Sequence, residues 1–193
     1  MPSTTTCRIK VSAALFCLGF FASLTARGAD YYVAQAGQQP SGSFTAWDAA
    51  ASNIADAVAL AADGDTVWVS NGTYTVETEI LVAAGVTVRS FNNGSLDRDG
   101  TIVRGNYPLS TNRVFRLTSA GALVEGFTIA NGCVSAADGG GVYISAGTLR
   151  GCLLTGNVST NNATAGGGGG GVYLTGASSV VTNCDIIANA THG

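Results

Sequence analysis

Positive charge is scarce in this chain. It has one lysine, Lys10, and eight arginines among 193 residues, and all charged residues together make up 11%. Phosphate binding needs clustered Lys and Arg, so nucleic acid is excluded as an expected partner. The one histidine, His192, stands next to the last residue, and no Ser/His/Asp constellation can be built around it. Prolines number three. The apolar share, 46%, is far too high for a disordered chain. Few charges combined with 27 glycines suit stacked turns better than amphipathic helices.

Only one long hydrophobic run occurs, VSAALFCLGFFASLTA over 11–26. Arg8 and Lys10 precede it, and Ala26-Arg27-Gly28 follows with small residues where cleavage would occur. This is the pattern of a secretory signal peptide over 1–29, and the run is short for a membrane span. The expectation is export, to the extracellular space or an outer-membrane surface, with no transmembrane helix in the mature chain. Removing Arg8, Lys10 and Arg27 leaves six basic against twelve acidic residues, a net charge of −6. Cys7 and Cys17 leave as well. The remaining three, Cys133, Cys152 and Cys184, are an odd number, so a disulfide framework is not expected to hold the fold.

The pattern that organises the chain is a near-duplication. GGGVYISAGTLRGCLLTGN (139–157) reappears as GGGVYLTGASSVVTNCDIIAN (169–189). Val142 aligns with Val172, Tyr143 with Tyr173, Cys152 with Cys184 and Asn157 with Asn189. The offset grows from 30 to 32 residues, so the second copy carries a two-residue insertion. FRLTSAGALVEGFTIANG (115–132) is a weaker third copy. A short strand, a bend, a second strand and a glycine-rich turn, repeated, describe the coils of a parallel β-solenoid.

Inward side chains of such coils stack about 4.8 Å apart. Three columns are expected: Val124–Leu149–Val181, Phe127–Cys152–Cys184 and Ile129–Leu154–Ile186. Cys152 and Cys184 would be neighbours, read as buried free thiols because a disulfide between in-register parallel strands is awkward. Asn157 and Asn189 are expected to form an amide ladder at a turn. The segments 134–140 and 157–171 read as turns between coils. The glycine run 166–171 reads as close backbone passage, since no helix or lysine follows to make a phosphate loop.

Ahead of the repeats, SNIADAVALAADGD (52–65) places Ile54, Ala57, Val58 and Ala61 on one helical face. Ser52 reads as its N-cap and Gly64 as its stop, giving a helix over about 52–63. The strand DTVWVS follows, and Asn71-Gly72 turns into TYTV. The organisation expected is a leader (1–29), an N-terminal cap with the first rung (30–78), and coils over 79–193. In 79–106, Ile80, Val82, Val86 and Val88 read as inward-facing, with 91–100 as a turn. The last coil has no closing helix, so the chain reads as a fragment of a longer protein.

Ala61 to Asp65 with Thr66, Val67, Val69, Gly72, Thr73 and Tyr74 resembles the N-terminal start of right-handed parallel β-helix proteins of the pectin-lyase-like superfamily. That resemblance implies an all-β, right-handed parallel β-helix whose first rung is hidden from water by the capping helix. The GGG-V-Y opening and the Cys-x-[Ile/Leu]-x-x-Asn closing, over about 115–189, are similar to the repeats of polymorphic outer-membrane proteins. Cys152 and Cys184 stand where that family often has Phe. This second resemblance implies a cell-surface, adhesive role.

Chemistry is thin. Asp97 and Asp99, in NNGSLDRDG, have the alternating oxygens of a calcium loop without its closing Glu, so a solvated turn is expected, with calcium the alternative and no other cofactor implied. Asp63 and Asp65 read as turn residues. Arg89, Arg98, Arg104, Arg113, Arg116 and Arg150 fall in no lyase motif, and after Arg116 the acids are Glu125, Asp138 and Asp185, too sparse for a glycosidase pair. No catalytic residue is assigned. The function expected is a non-catalytic surface scaffold or adhesin-like protein, with an extracellular polysaccharide or a host or neighbour surface as its partner. The alternative is a polysaccharide-active enzyme of the same fold whose active site lies mostly outside this stretch.

Overall fold

The computed structural model describes residues 27–35, 42–160 and 168–192. Most of the expected leader, and Gly166 and Gly167 of the glycine run, lie outside them. The described chain is mostly β and its strand pairs are parallel. Strand β1 (Asp30–Val33) leads through a short 3-10 turn (Trp47–Ala49) to helix α1 (Ile54–Leu60). Then follow β2 (Thr66–Ser70), β3 (Gly72–Thr75), β4 (Ile80–Val82), β5 (Thr87–Phe91) and β6 (Thr101–Arg104). The repeats supply β7 (Phe115–Glu125), β8 (Thr128–Ala130), β9 (Cys133–Ser135), β10 (Val142–Arg150), β11 (Leu153–Thr155) and β12 (Val158–Thr160). Last come β13 (Val172–Leu174), β14 (Ser179–Thr182), β15 (Asp185–Ile187) and β16 (Ala190–His192).

Three sheets result. The largest runs β1-β2-β5-β7-β10-β13, with β4 also on β7 and β14 also on β10. The second runs β15-β11-β8-β6-β3 and the third β16-β12-β9. From β7 onward the chain visits the three sheets in turn and then begins again, so each strand lies beside its counterpart from the preceding repeat.

The third sheet differs from the sequence reading. Segments 134–140 and 157–171 were expected to be turns alone, yet β9 and β12 sit in them. The reason is local: Val158 and Ser159 are both buried, and Ser159 satisfies its hydroxyl on the Ala137 carbonyl at 2.6 Å. A polar residue inside is tolerated when it is hydrogen-bonded, and the hydrophobic pattern therefore hides the strand.

The helix is also shorter than the 52–63 expected. Asn53, not Ser52, is the N-cap: its side-chain oxygen accepts the Asp56 N–H at 2.9 Å. Helical geometry stops at Leu60 with Ala61 extended as the C-cap, before Gly64 is reached. Asp65 ends the following turn by accepting the Ala62 N–H (2.8 Å) and the Ala29 N–H (2.7 Å). Ile54, Ala57 and Val58 face the core, and the helix packs against β1, β2 and β4.

Register sets the core. Leu149 pairs with Val124 on one side and Val181 on the other. Leu154 likewise lies between Ile129 and Ile186. Phe127, Cys152 and Cys184 stand in the bends that precede these strands, tied by Leu153 N–H to the Phe127 carbonyl and Asp185 N–H to the Cys152 carbonyl, both 2.9 Å. The first two members of each column are fully buried. The third members are not: Ile186 is 46% exposed, and Val181 and Cys184 are half-buried. Their strands β14 and β15 have a described neighbour on one side only, so burial is incomplete there.

The two-residue insertion has a definite place. Ile144 pairs with Leu174, but Gly147 pairs with Ser179. The extra residues therefore lie between β13 and β14, where the second copy breaks a strand that β10 keeps continuous. Each glycine triplet packs on its counterpart: Gly140 and Gly141 donate to the carbonyls of Gly169 and Gly170 at 3.1 and 3.0 Å. A Cβ on Gly140 would stand 2.2 Å from the Val158 carbonyl oxygen, so no larger residue fits.

Candidate functional site

The outward face of the eight-stranded sheet carries the concentrated chemistry. Alternation along a strand turns every second residue away from the core, and parallel register then lines those residues into columns. One column reads Tyr32, Trp68, Arg89, Glu125, Arg150 and Thr182. Each of the three charged residues follows an inward one, namely Val88, Val124 and Leu149.

Glu125 is the centre of this column and is only 1% exposed. Arg150 grips one carboxylate oxygen, its Nε at 2.8 Å and a terminal nitrogen at 2.5 Å. Arg89 Nε lies 3.0 Å from the other oxygen, but its N–H is not aimed for a hydrogen bond, so that contact is an electrostatic one. The Arg89 guanidinium also stacks 4.8 Å from the Trp68 ring centre. Trp68 in turn donates its indole N–H to Asp30 at 2.8 Å. Sequence reading passed over this arrangement because Glu125 looked like an isolated acid. The signal available was an apolar-then-charged pair recurring as Val-Arg, Val-Glu and Leu-Arg.

A second column holds Leu81, Arg116, Tyr143 and Tyr173. The tyrosine rings stack at 5.9 Å with 26° between planes. Arg113 and Arg116 approach the Tyr143 ring at 5.1 and 5.5 Å. Glu79 bridges the two guanidiniums, 2.5 Å from Arg113 and 3.5 Å from Arg116. Arg113 spends its other nitrogens on the carbonyls of Gly139 and Asp138, which fixes it as a brace. An open groove of about 450 Å³ runs beside it, lined by Glu77, Glu79, Asn112 and Ser135 among others.

Aromatic rings gather at the β1 end of the same face. Tyr32 and Trp47 lie 4.6 Å apart, Trp47 and Phe91 5.2 Å, and Phe91 and Trp68 5.5 Å. Trp47 and Phe91 wall a shallow cleft of about 280 Å³ with Ser70, Asn71, Asn92 and Asn93.

The calcium candidates are otherwise engaged. Asp97 accepts the Gly100 N–H at 2.8 Å on one oxygen, and the Asn71 and Asn92 amides at 2.8 and 2.9 Å on the other. Those donors, the Gly100 N–H foremost, hold its carboxyl below the usual range. Asp99 is highly exposed and lies 3.6 Å from Arg98. The loop 92–100 is pinned at Ser90, whose hydroxyl takes the Asp97 N–H at 2.9 Å. Among the described residues no group of three or more His, Cys, Asp or Glu is placed to hold a metal ion.

Several further acids and bases have partners. Asp63 accepts the Gly85 N–H at 2.6 Å. Asp185 pairs with Arg98 at 2.7 Å, and Arg104 donates to the Thr75 hydroxyl at 3.0 Å. His192 sits exposed in β16. Cys133, Cys152 and Cys184 are free thiols. No helix among the described residues is long and apolar enough to cross a membrane.

Asn157 and Asn189 form a ladder at the bend between the second and third sheets. The Asn157 amide donates to Asn189 Oδ1 and to the Ile129 carbonyl, both at 2.9 Å. Its own oxygen accepts the Gly132 N–H at 2.9 Å. Asn189 repeats the pattern by donating to the Leu154 carbonyl at 2.9 Å.

Compared with known proteins, the chain matches no family model, no curated protein and no solved structure.

Proposed function

We propose that this chain is a right-handed parallel β-helix that serves as a non-catalytic surface scaffold. Three parallel sheets visited in rotation, with like residues stacked from repeat to repeat, are what such a solenoid requires. In this reading α1 is the cap over the first rung, the leader directs export, and the eight-stranded sheet's outer face meets an extracellular polysaccharide or a neighbouring surface. One observation carries the absence of catalysis: Glu125, the buried carboxylate at the centre of that face, is locked between Arg89 and Arg150. Arg150 hydrogen-bonds one oxygen, Arg89 stands beside the other, and the carboxylate is only 1% exposed, so a substrate cannot reach it.

The test is incubation with polygalacturonate and calcium, followed by absorbance for unsaturated product, together with co-sedimentation on insoluble polysaccharides. Retention without turnover is expected. Product formation that disappears in Glu125→Gln overturns the scaffold reading.

The rival reading, a polysaccharide-active enzyme, draws on the aromatic cleft between Trp47 and Phe91, whose rings and amides suit a sugar face and its hydroxyls. Turnover would favour it.

A further inference from the structure

Cys152 and Cys184 occupy equivalent places in successive repeats, each in the bend just ahead of a register pair, Leu153 with Asp185. The Cys152 backbone N–H reaches the Cys184 sulfur at 3.4 Å. Both cysteines stand in bends outside the in-register strands, where the strand geometry that makes a bridge awkward does not apply. A spacing of about 4.8 Å, that of neighbouring parallel strands, lies inside the range of about 4.4–6.8 Å that a disulfide spans. The two thiols differ in access. Cys152 is fully buried, whereas Cys184 is half-buried. Cys133 belongs to β9, where its register partner is Val158 and not another cysteine.

We propose that Cys184 and Cys152 form a thiol–disulfide exchange site, in which Cys184 attacks a low-molecular-weight disulfide and Cys152 resolves the adduct. Charge around the pair favours that order. The Cys152 thiol, then the backbone N–H groups around Cys184, hold the Cys184 thiol down to about 6 against the opposing effect of burial. Burial, reinforced by the neighbouring Cys184, pushes the Cys152 thiol well up. Asp185, the adjacent negative charge, is drawn off by Arg98 at 2.7 Å.

The chemistry balances in two displacements. Cys184 thiolate attacks one sulfur of the small disulfide, forming a mixed disulfide and releasing one thiolate. That thiolate takes the Cys152 proton. Cys152 thiolate then attacks the Cys184 sulfur, forming the Cys152–Cys184 bond and releasing the second small thiolate. Two protein thiols are oxidised and one external disulfide is reduced to two thiols.

The whole chain is treated with oxidised glutathione, unfolded, alkylated with iodoacetamide and cut with trypsin. No Lys or Arg follows Arg150, so one peptide, 151–193, carries both cysteines. The expected product is that peptide, lighter by two hydrogens and unalkylated, with Cys133 alkylated. Cys152→Ser should retain one glutathione on the same peptide, and Cys184→Ser should retain none. In the reduced folded chain, Cys184 should alkylate at least about tenfold faster than Cys133 or Cys152. Alkylation of both cysteines in 151–193, persistence of glutathione there in the unsubstituted chain, or oxidation through Cys133 instead would each overturn the proposal. The mass of this peptide in the unsubstituted chain decides the matter even if a variant fails to fold.

Discussion

Asn189 Oδ1 accepts two hydrogen bonds from Asn157, one from its side-chain amide at 2.9 Å and one from its backbone N–H at 3.0 Å. Asn157 is wholly buried and also satisfies the Ile129 carbonyl and the Gly132 N–H. Truncation to alanine strands those groups without water. Asn157→Ala is therefore expected to cost about 3 kcal/mol, read as a lower denaturant midpoint. Asn189→Ala, at a half-exposed bend, should cost about 1 kcal/mol. Equal losses would contradict the ladder.

Leu154 lies fully buried between Ile129 and Ile186. Leu154→Ala should lose about 2–5 kcal/mol, the transfer cost plus that of the cavity. Leu154→Asp places a charge with no partner in the same column and should yield no folded protein. Circular dichroism during thermal melting separates the cases. A soluble, cooperatively melting Leu154→Asp chain would refute the column.

Removing Glu125 leaves Arg89 and Arg150 facing each other with no counter-charge. Glu125→Ala should cost about 3 kcal/mol, since one partner of a buried ion group is gone. Arg150 is half-exposed, and Arg89 remains to serve the carboxylate, so Arg150→Ala should cost less than half as much. Urea unfolding of both variants gives the comparison.

The Asp97 carboxyl is held below its ordinary value by the Gly100 N–H and the Asn92 and Asn71 amides. A folded-state value below the unfolded one means the stabilisation is present above the ordinary carboxyl pKa of about 3.9. It fades as pH falls from there through the depressed folded value. Asp97→Asn should remove that part of the acid sensitivity, measured as protease susceptibility of the loop 92–100 against pH. The same donors occupy the positions a cation would need, so adding calcium should leave the melting temperature unchanged.

What could be read from the sequence was governed by repetition. Val142 with Val172 and Leu149 with Val181 stand opposite each other because like inward residues recur at a nearly fixed interval, and such recurrence is visible without coordinates. The parallel, mostly β character follows from the same recurrence. The β9–β12–β16 sheet was hidden because Ser159 is buried through a hydrogen bond and breaks the apolar pattern. The Arg89–Glu125–Arg150 column was hidden because its members sit 36 and 25 residues apart, and outward charges need no similarity between repeats. Helix ends were misplaced because Ser52 and Asn53 are both good caps, and only backbone geometry chooses between them.

Between β13 and β14 the chain carries two more residues than β10 does, as β7 also does, while both flanking strands still dock on β10. Length at that position is decoupled from the packing on either side. A foreign peptide grafted between Leu174 and Ser179 would be displayed on the outer surface, making this junction the natural site for an epitope or affinity tag.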